Sequence, residues 1–284
     1  MSTNQERGDK ALSNLERELK SRERRNKARP LGVIAASAAA ILLIGGGIVF
    51  FATRDSDESV TAQDETSTSA ETTTPEATYE PLAMKRATPL PATVTCDYRS
   101  SGEAANDATV PAKDNISTEG TVTVKLETNK GPIPMELDRS VAPCTVNAME
   151  HLAKENYFDD TVCHRITTEG IYVLQCGDPT GTGSGGPGFE FDNEYPTDEA
   201  DGSQEPVSYP RGSIAMANAG EGTNGSQFFL NYGDSPLPPA YTYFGQITEE
   251  GLSTLDSIAE AGADGGAADG QPAEQVVIEK TSVA

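Results

Sequence analysis

A mainly β domain, closed as an antiparallel barrel and capped by two helices, is the fold class that this 284-residue sequence predicts. Three observations predict it. From residue 121 onward, short runs alternate between apolar and polar residues, the period of a half-buried strand. Two stretches carry helical periodicity, one early and one late in that region. Gly, Pro and Asn clusters punctuate the rest. Many short strands with two helices pack most simply as a closed sheet with its ends covered.

The chain before this domain reads as three segments. Residues 1–30 form a polar, basic segment with nine Lys/Arg against five Asp/Glu, and Leu12, Leu15 and Leu19 at helical spacing mark a short surface helix. Residues 31–52 carry no charge and are rich in Ala, Ile, Leu, Val and Gly. As a helix they would measure about 33 Å, enough to cross a ~30 Å hydrocarbon core. Arg22, Arg24, Arg25, Lys27 and Arg29 precede this run, while Arg54, Asp55, Asp57 and Glu58 follow it. The positive-inside rule then leaves the N-terminus cytoplasmic and the remainder outside the cell membrane, a single-pass arrangement. A cleaved signal peptide would have a shorter apolar run and a small-x-small cleavage site, which Phe50-Phe51-Ala52 lacks. Residues 53–93, dominated by Thr, Ser, Glu, Ala and Pro, cannot bury enough surface to offset ordering entropy and read as a disordered tether.

Residues 94–284 are the predicted folded domain. Outside the first thirty residues, thirty-nine Asp/Glu oppose twelve Lys/Arg, a field that repels phosphate backbones and argues against a nucleic-acid partner. Within the domain, residues 121–127 and 133–137 alternate around an Asn129-Lys130-Gly131 turn, which predicts a hairpin. Pro143 opens a helix with Val146, Met149, Leu152 and Ala153 on one face. Strands are predicted at 162–166, 171–175, 213–217, 227–230 and 241–247, a second helix at 253–261, a Gly/Ala/Asp-rich loop at 262–272 and a last strand at 276–280. The four cysteines, Cys96, Cys144, Cys163 and Cys176, all follow the apolar run, and an even count on an oxidising side reads as two disulfides. Three connectivities exist. A hairpin over 163–176 would set Cys163 near Cys176, which favours that pair and leaves Cys96 with Cys144 to pin the incoming chain.

Two dense blocks carry the functional signal: Cys163-His164-Arg165 running to Gln175-Cys176-Gly177-Asp178-Pro179, and Met216-Ala217-Asn218-Ala219-Gly220 running to Asn224-Gly225-Ser226-Gln227-Phe228-Phe229. With the Gly-rich stretch 181–188 and Tyr243-Phe244-Gly245-Gln246-Ile247, they resemble the cyclophilin family of peptidyl-prolyl cis-trans isomerases. The cysteines, the longer Thr-containing loop and the apolar anchor are similar to the membrane-anchored, extracytoplasmic actinobacterial branch of that family. The resemblance implies an eight-stranded barrel with two helices, no cofactor, and Xaa-Pro segments of unfolded or exported proteins as partners of a monomeric domain.

It also implies roles. Arg165 matches the catalytic arginine. Tyr172 and Val173 fall on pocket positions, Gln175 on a hydrogen-bonding amide, and Ala217 and Asn218 on residues that dock the peptide main chain. Gln227 matches a second amide, Phe229 the floor of the proline pocket, and Leu237 the pocket leucine. Where the family has Trp-Leu-Asp-Gly-x-His, this chain has Pro236-Leu237-Pro238-Pro239-Ala240-Tyr241, so Pro236 replaces the tryptophan and Tyr241 the histidine. Weak cyclosporin binding is the expected consequence. The loop between Arg165 and Gln175 is also two residues longer than usual, so the place of Tyr172 depends on the alignment.

Other chemistries fit less well. The GxGxxG pattern of residues 181–186 is not followed by a helix start, against a dinucleotide site. A Cys163-His164 thiol protease conflicts with a disulfide, and His164 reads as a core residue. Two histidines offer no convergent metal site. Asp192, Glu194, Asp198, Glu199 and Asp201 are weak Ca²⁺ candidates beside a plain solvated loop. Against the enzyme stands a non-catalytic module that holds Pro-containing segments on a remodelled rim.

Overall fold

The computed structural model describes residues 78–284. The predicted basic segment, the membrane helix at 31–52 and most of the predicted tether lie outside the described residues. Among the described residues, no helix is long and apolar enough to cross a membrane.

One ten-stranded antiparallel sheet organises the domain. Its strands are β1 (Thr121–Thr128), β2 (Gly131–Asp138), β3 (Thr161–Val162), β4 (Arg165–Thr167), β5 (Val173–Cys176), β6 (Ser213–Met216), β7 (Phe228–Asn231), β8 (Tyr243–Ile247), β9 (Asp269–Gly270) and β10 (Val277–Val283). The spatial order is β9-β4-β5-β7-β6-β8-β2-β1-β10-β3. The sheet curls because residues 161–167 serve both ends. The Cys163 N–H donates to the Val276 carbonyl beside β10, and the next N–H, that of His164, donates to the Gln175 carbonyl of β5. That change of partner splits one predicted strand into β3 and β4. The two-residue β9 adds a further edge pairing, so the predicted eight strands become ten.

The β1–β2 hairpin follows its alternation: Val122, Val124 and Leu126 are buried between more exposed neighbours. Helix α1 (Pro143–Lys154) begins at the predicted proline and buries Val146, Met149, Leu152 and Ala153. Ala142 supplies no side-chain cap, and Glu194 takes that role from fifty residues away. It accepts the Cys144 and Thr145 N–H groups at 3.0 and 2.8 Å and the Thr145 hydroxyl at 2.7 Å. A carboxyl group there satisfies orphan donors of the helix start; burial raises its proton affinity above the usual carboxylate range, and the hydrogen bonds from Thr145 and Cys144 oppose that rise. Helix α2 (Glu249–Ala261) starts four residues earlier than predicted, behind an N-cap at Thr248 whose side chain accepts from the Gly251 N–H. Its Leu252, Leu255 and Ile258 are buried.

Residues 78–93, read from sequence as part of the tether, pack on the domain instead. Leu82 is buried, and a Pro81–Ser208 bridge brings Leu82 N–H to the Ser208 carbonyl at 2.8 Å. Arg86 is the anchor, donating from Nε to the Val141 carbonyl at 2.9 Å and pairing with Asp198 at 2.7 Å beneath the Tyr195 ring. Glu199 accepts the Ala87 and Thr88 N–H groups. Leu82 and Arg86 are isolated contacts with no periodic pattern around them, so composition alone reads as linker. The strap's contacts occupy Asp198 and Glu199, and the start of α1 occupies Glu194, three of the weak Ca²⁺ candidates.

Both disulfides are formed, Cys96–Cys144 and Cys163–Cys176. The first ties the incoming chain to α1. Beyond it, Arg99 and Ser100 pair antiparallel with Glu190 and Phe189.

Candidate active site

The site is laid out by strand register. Across β4, β5, β7 and β6 runs one row, Arg165 opposite Gln175, Gln175 opposite Phe229, and Phe229 opposite Ala215. Directly opposed residues of an antiparallel sheet share a face, so Arg165, Gln175 and Phe229 lie side by side. Two residues along, on the same face, come Val173 on β5 and Gln227 just before β7.

The Arg165 guanidinium donates from Nε and Nη2 to the two oxygens of Asp269, at 2.8 and 2.7 Å, and from Nη1 to Gln175 Oε1 at 3.2 Å. The hydrogen bond to Asp269 holds the guanidinium's proton affinity above its usual range despite partial burial, and the same bond holds the Asp269 carboxyl below its own. Gln175 Nε2 donates to Gln227 Oε1 at 3.0 Å, and Gln227 Nε2 donates to the Gly183 and Gly185 carbonyls at 3.1 and 3.0 Å.

Those two carbonyls belong to a loop wound around Asp178. The buried carboxylate accepts the N–H groups of Thr180, Thr182 and Ser184 at 2.7, 3.1 and 3.0 Å and the Thr180 hydroxyl at 2.7 Å. Burial alone would raise this carboxyl, but the loop N–H groups and the Thr180 hydroxyl hold it low. The glycines permit the winding. A Cβ on Gly185 would fall 2.0 Å from Asp178 Oδ1, and one on Gly177, at φ +93°, would fall 2.2 Å from the Ser226 carbonyl. The Gly-rich loop thus spends its donors on its own carboxylate, which accounts for its failure to present a phosphate cradle.

The apolar side of the site gathers around Phe229, which is 5% exposed. Its ring meets Tyr241 edge-on at 5.6 Å between centroids and Tyr209 at 6.5 Å. The Tyr209 hydroxyl donates to the Tyr241 carbonyl at 2.7 Å and holds that segment down. Leu237 stands opposite Val207 in a short antiparallel pair, in which Pro236 faces Ser208. Asn218 is fixed by donating from Nδ2 to the Ala240 carbonyl at 2.9 Å and accepting the Gly220 N–H at 3.2 Å, while Ala217 N–H donates to the Gln227 carbonyl at 2.9 Å. A groove of about 730 Å³ runs past Gln175, Ala217, Asn218 and Gln227, and residues 101–105 with 183–187 close its far side.

Tyr172 is the one candidate placed apart. It precedes β5, is 38% exposed, and packs edge-on to Tyr232 at 5.8 Å beside Gly233. Alternation sets it on the face opposite Val173 and Gln175, a consequence of the longer loop ahead of it. Three contributors have no sequence signal. Asp269 sits in a loop without periodicity, Tyr209 stands alone between short segments, and residues 101–105 read as polar coil.

The family follows from these motifs and from direct comparison. This chain belongs to the cyclophilin type peptidyl-prolyl cis-trans isomerase family, whose profile matches residues 123–283. A probable peptidyl-prolyl cis-trans isomerase B of Mycobacterium tuberculosis is 50% identical over 190 residues, 64% of this chain and 62% of that protein. The corresponding Mycobacterium leprae protein is 48% identical over 193 residues, so the chain spans about two thirds or less of these relatives, 62% and 65%. A peptidyl-prolyl cis-trans isomerase of Helicobacter pylori is 43% identical over 137 residues, covering 48% of this chain and 78% of that one. Among solved structures, a Cryptosporidium parvum cyclophilin type isomerase is similar at 31% identity and a TM-score of 0.49, covering 58% of this chain and 98% of its own.

Proposed function

We propose that this protein is a peptidyl-prolyl cis-trans isomerase, anchored through residues 31–52 in the cell membrane with its folded domain on the extracytoplasmic side, acting on Xaa-Pro segments of exported proteins. The observation that carries the activity is the state of Arg165. Of the five N–H groups of a guanidinium, two go to Asp269 and one to Gln175, which leaves two for a substrate.

Rotation about a prolyl amide is slow because resonance must be broken, at a barrier near 18–20 kcal/mol, and it requires no nucleophile and no metal. A surface that binds the twisted amide better than the planar one is sufficient. As planarity is lost, the nitrogen lone pair localises and accepts a hydrogen bond, and a rigid, always charged guanidinium is suited to donate it. Phe229, Val173 and Leu237 offer the apolar seat for the pyrrolidine ring, with Tyr241 packed on Phe229 at the rim. Ala217 and Asn218 offer main-chain anchors, and Gln175 and Gln227 supply amide groups. Pro236 presents no large ring at the rim, so cyclosporin binds weakly in this reading, and a titration showing tight binding overturns that point.

The placement in the membrane rests on the charge-free run, its basic and acidic flanks and two disulfides that fit an oxidising compartment. Protease added to intact cells should remove the domain; protection would place it on the other side. For the activity, the measurement is NMR exchange of a short Xaa-Pro peptide with the full chain and with Arg165→Ala. Exchange that the variant loses supports the enzyme. Binding without exchange by the parent moves the reading to a peptide-holding module.

A further inference from the structure

We propose that Asp269 is the positioning residue that sets the orientation of the Arg165 guanidinium, an inference that rests on the isomerase reading of the Arg165 face. The carboxylate receives two parallel N–H bonds, Nε to Oδ1 at 2.8 Å and Nη2 to Oδ2 at 2.7 Å. Such a fork fixes both the plane of the guanidinium and its rotation about the side-chain axis, which a single bond does not.

Asp269 is itself held by register. Strand β9 pairs with β4, with Asp269 opposite Thr167 and Gly270 opposite Ile166. The segment ahead of it is tied down twice: the Thr168 N–H donates to the Ala268 carbonyl at 2.9 Å, and the Thr168 hydroxyl donates to the Ala267 carbonyl at 3.1 Å. The two members of the pair therefore stand on adjoining strands, and backbone pairing sets their geometry. Gln175 takes the third donor, from Nη1. The group is clamped on two sides, with one N–H on each Nη left over.

Both side chains are half exposed, at 39% for Arg165 and 54% for Asp269. Water screens a pair of that kind, so it adds little to folding stability. Stability and turnover are thus separable here. Loss of the carboxylate should leave the fold as it is and let the guanidinium swing away from the position the twisted amide needs.

The test uses the full chain. Asp269→Ala should lower the exchange rate at saturating peptide by roughly tenfold or more, the scale of a misplaced catalytic group, with the peptide KM and the melting curve nearly unchanged. Asp269→Asn keeps an oxygen for the Nε bond and should fall between the two. In the Arg165→Ala background the second substitution should cost nothing more, because the group it positions is gone. A parent-like rate for Asp269→Ala, or a full additional loss on top of Arg165→Ala, overturns the proposal. A readout independent of turnover is the Arg165 Nε–H resonance. If Asp269 holds the group, the line is resolved in the parent and broadened or lost in Asp269→Ala; a line equally resolved in the variant overturns the proposal. A parent that shows no exchange would sink the isomerase reading, and this resonance would still decide whether Asp269 orients Arg165.

Discussion

Gln227 fixes the orientation of Gln175 through a single amide–amide hydrogen bond of 3.0 Å. The Gln227 NH₂ group faces two carbonyls, those of Gly183 and Gly185, which only a donor satisfies. Its oxygen is thereby turned toward Gln175, which must answer with its own NH₂ and so present its oxygen to Arg165. The polarity of the row is set at the loop end and read at the guanidinium end.

Gln227→Glu tests this relay. A carboxylate can still accept from Gln175 but cannot donate to Gly183 and Gly185, so the two loop carbonyls lose their donor and residue 227 is no longer held in place against Gln175. Turnover should fall by about tenfold, equivalent to ~1.4 kcal/mol in the barrier, while circular dichroism stays native. Full activity in that variant would mean that the amide relay does not orient Arg165.

The Cys163–Cys176 bond joins the ends of the two strands that carry Arg165 and Gln175, across a sequence separation of 13. Chain-entropy arguments give about 3 kcal/mol for a loop near this length. Replacing both cysteines by alanine should lower the urea midpoint accordingly and slow exchange, because the Arg165–Gln175 pairing loses its nearest covalent restraint. An unchanged midpoint would show that the hairpin is held by its ladder alone.

Arg86 fastens the strap of residues 78–93, and its side chain is only 6% exposed. Arg86→Ala removes the donor to the Val141 carbonyl and the partner of Asp198. The expected cost is about 1–3 kcal/mol, the range for leaving a buried polar group unpaired. Limited proteolysis should then cut within residues 78–93 before the domain, and a cleavage pattern identical to the parent's would argue that Leu82 and the Ser208 bridge suffice.

His164 makes stability depend on pH. Both its ring nitrogens are buried without a partner. Burial depresses its affinity for a proton below the usual 6.5; the nearby Asp178 opposes this shift and Arg165 adds to it. The unfolded chain binds the proton more readily than the fold does, so the contribution is complete above about pH 6.5 and is lost as pH falls through the lower folded value. Melting temperature should therefore decline from pH 7 toward pH 5, and His164→Gln should flatten that slope. A slope unaltered by the substitution would assign the effect to other groups.

The sequence by itself determined the hairpin of β1 and β2, the buried face of α1, the two motif blocks and, through them, the family. Each of these is written locally, as period-two alternation in residues 121–137, as a helical stripe from Pro143, and as contiguous residues around Arg165 and Phe229. Only the tertiary structure decided that residues 78–93 belong to the domain, that Glu194 caps α1, that Tyr172 turns away from the row, and that Asp269 grips Arg165. The physical reason is common to all four. Each depends on a few polar or isolated contacts between residues far apart in the chain, 104 positions for Asp269 and Arg165 and 112 for Ala87 and Glu199. Such contacts leave no periodicity in either partner; they exist once the sheet has curled and register has brought the strands together.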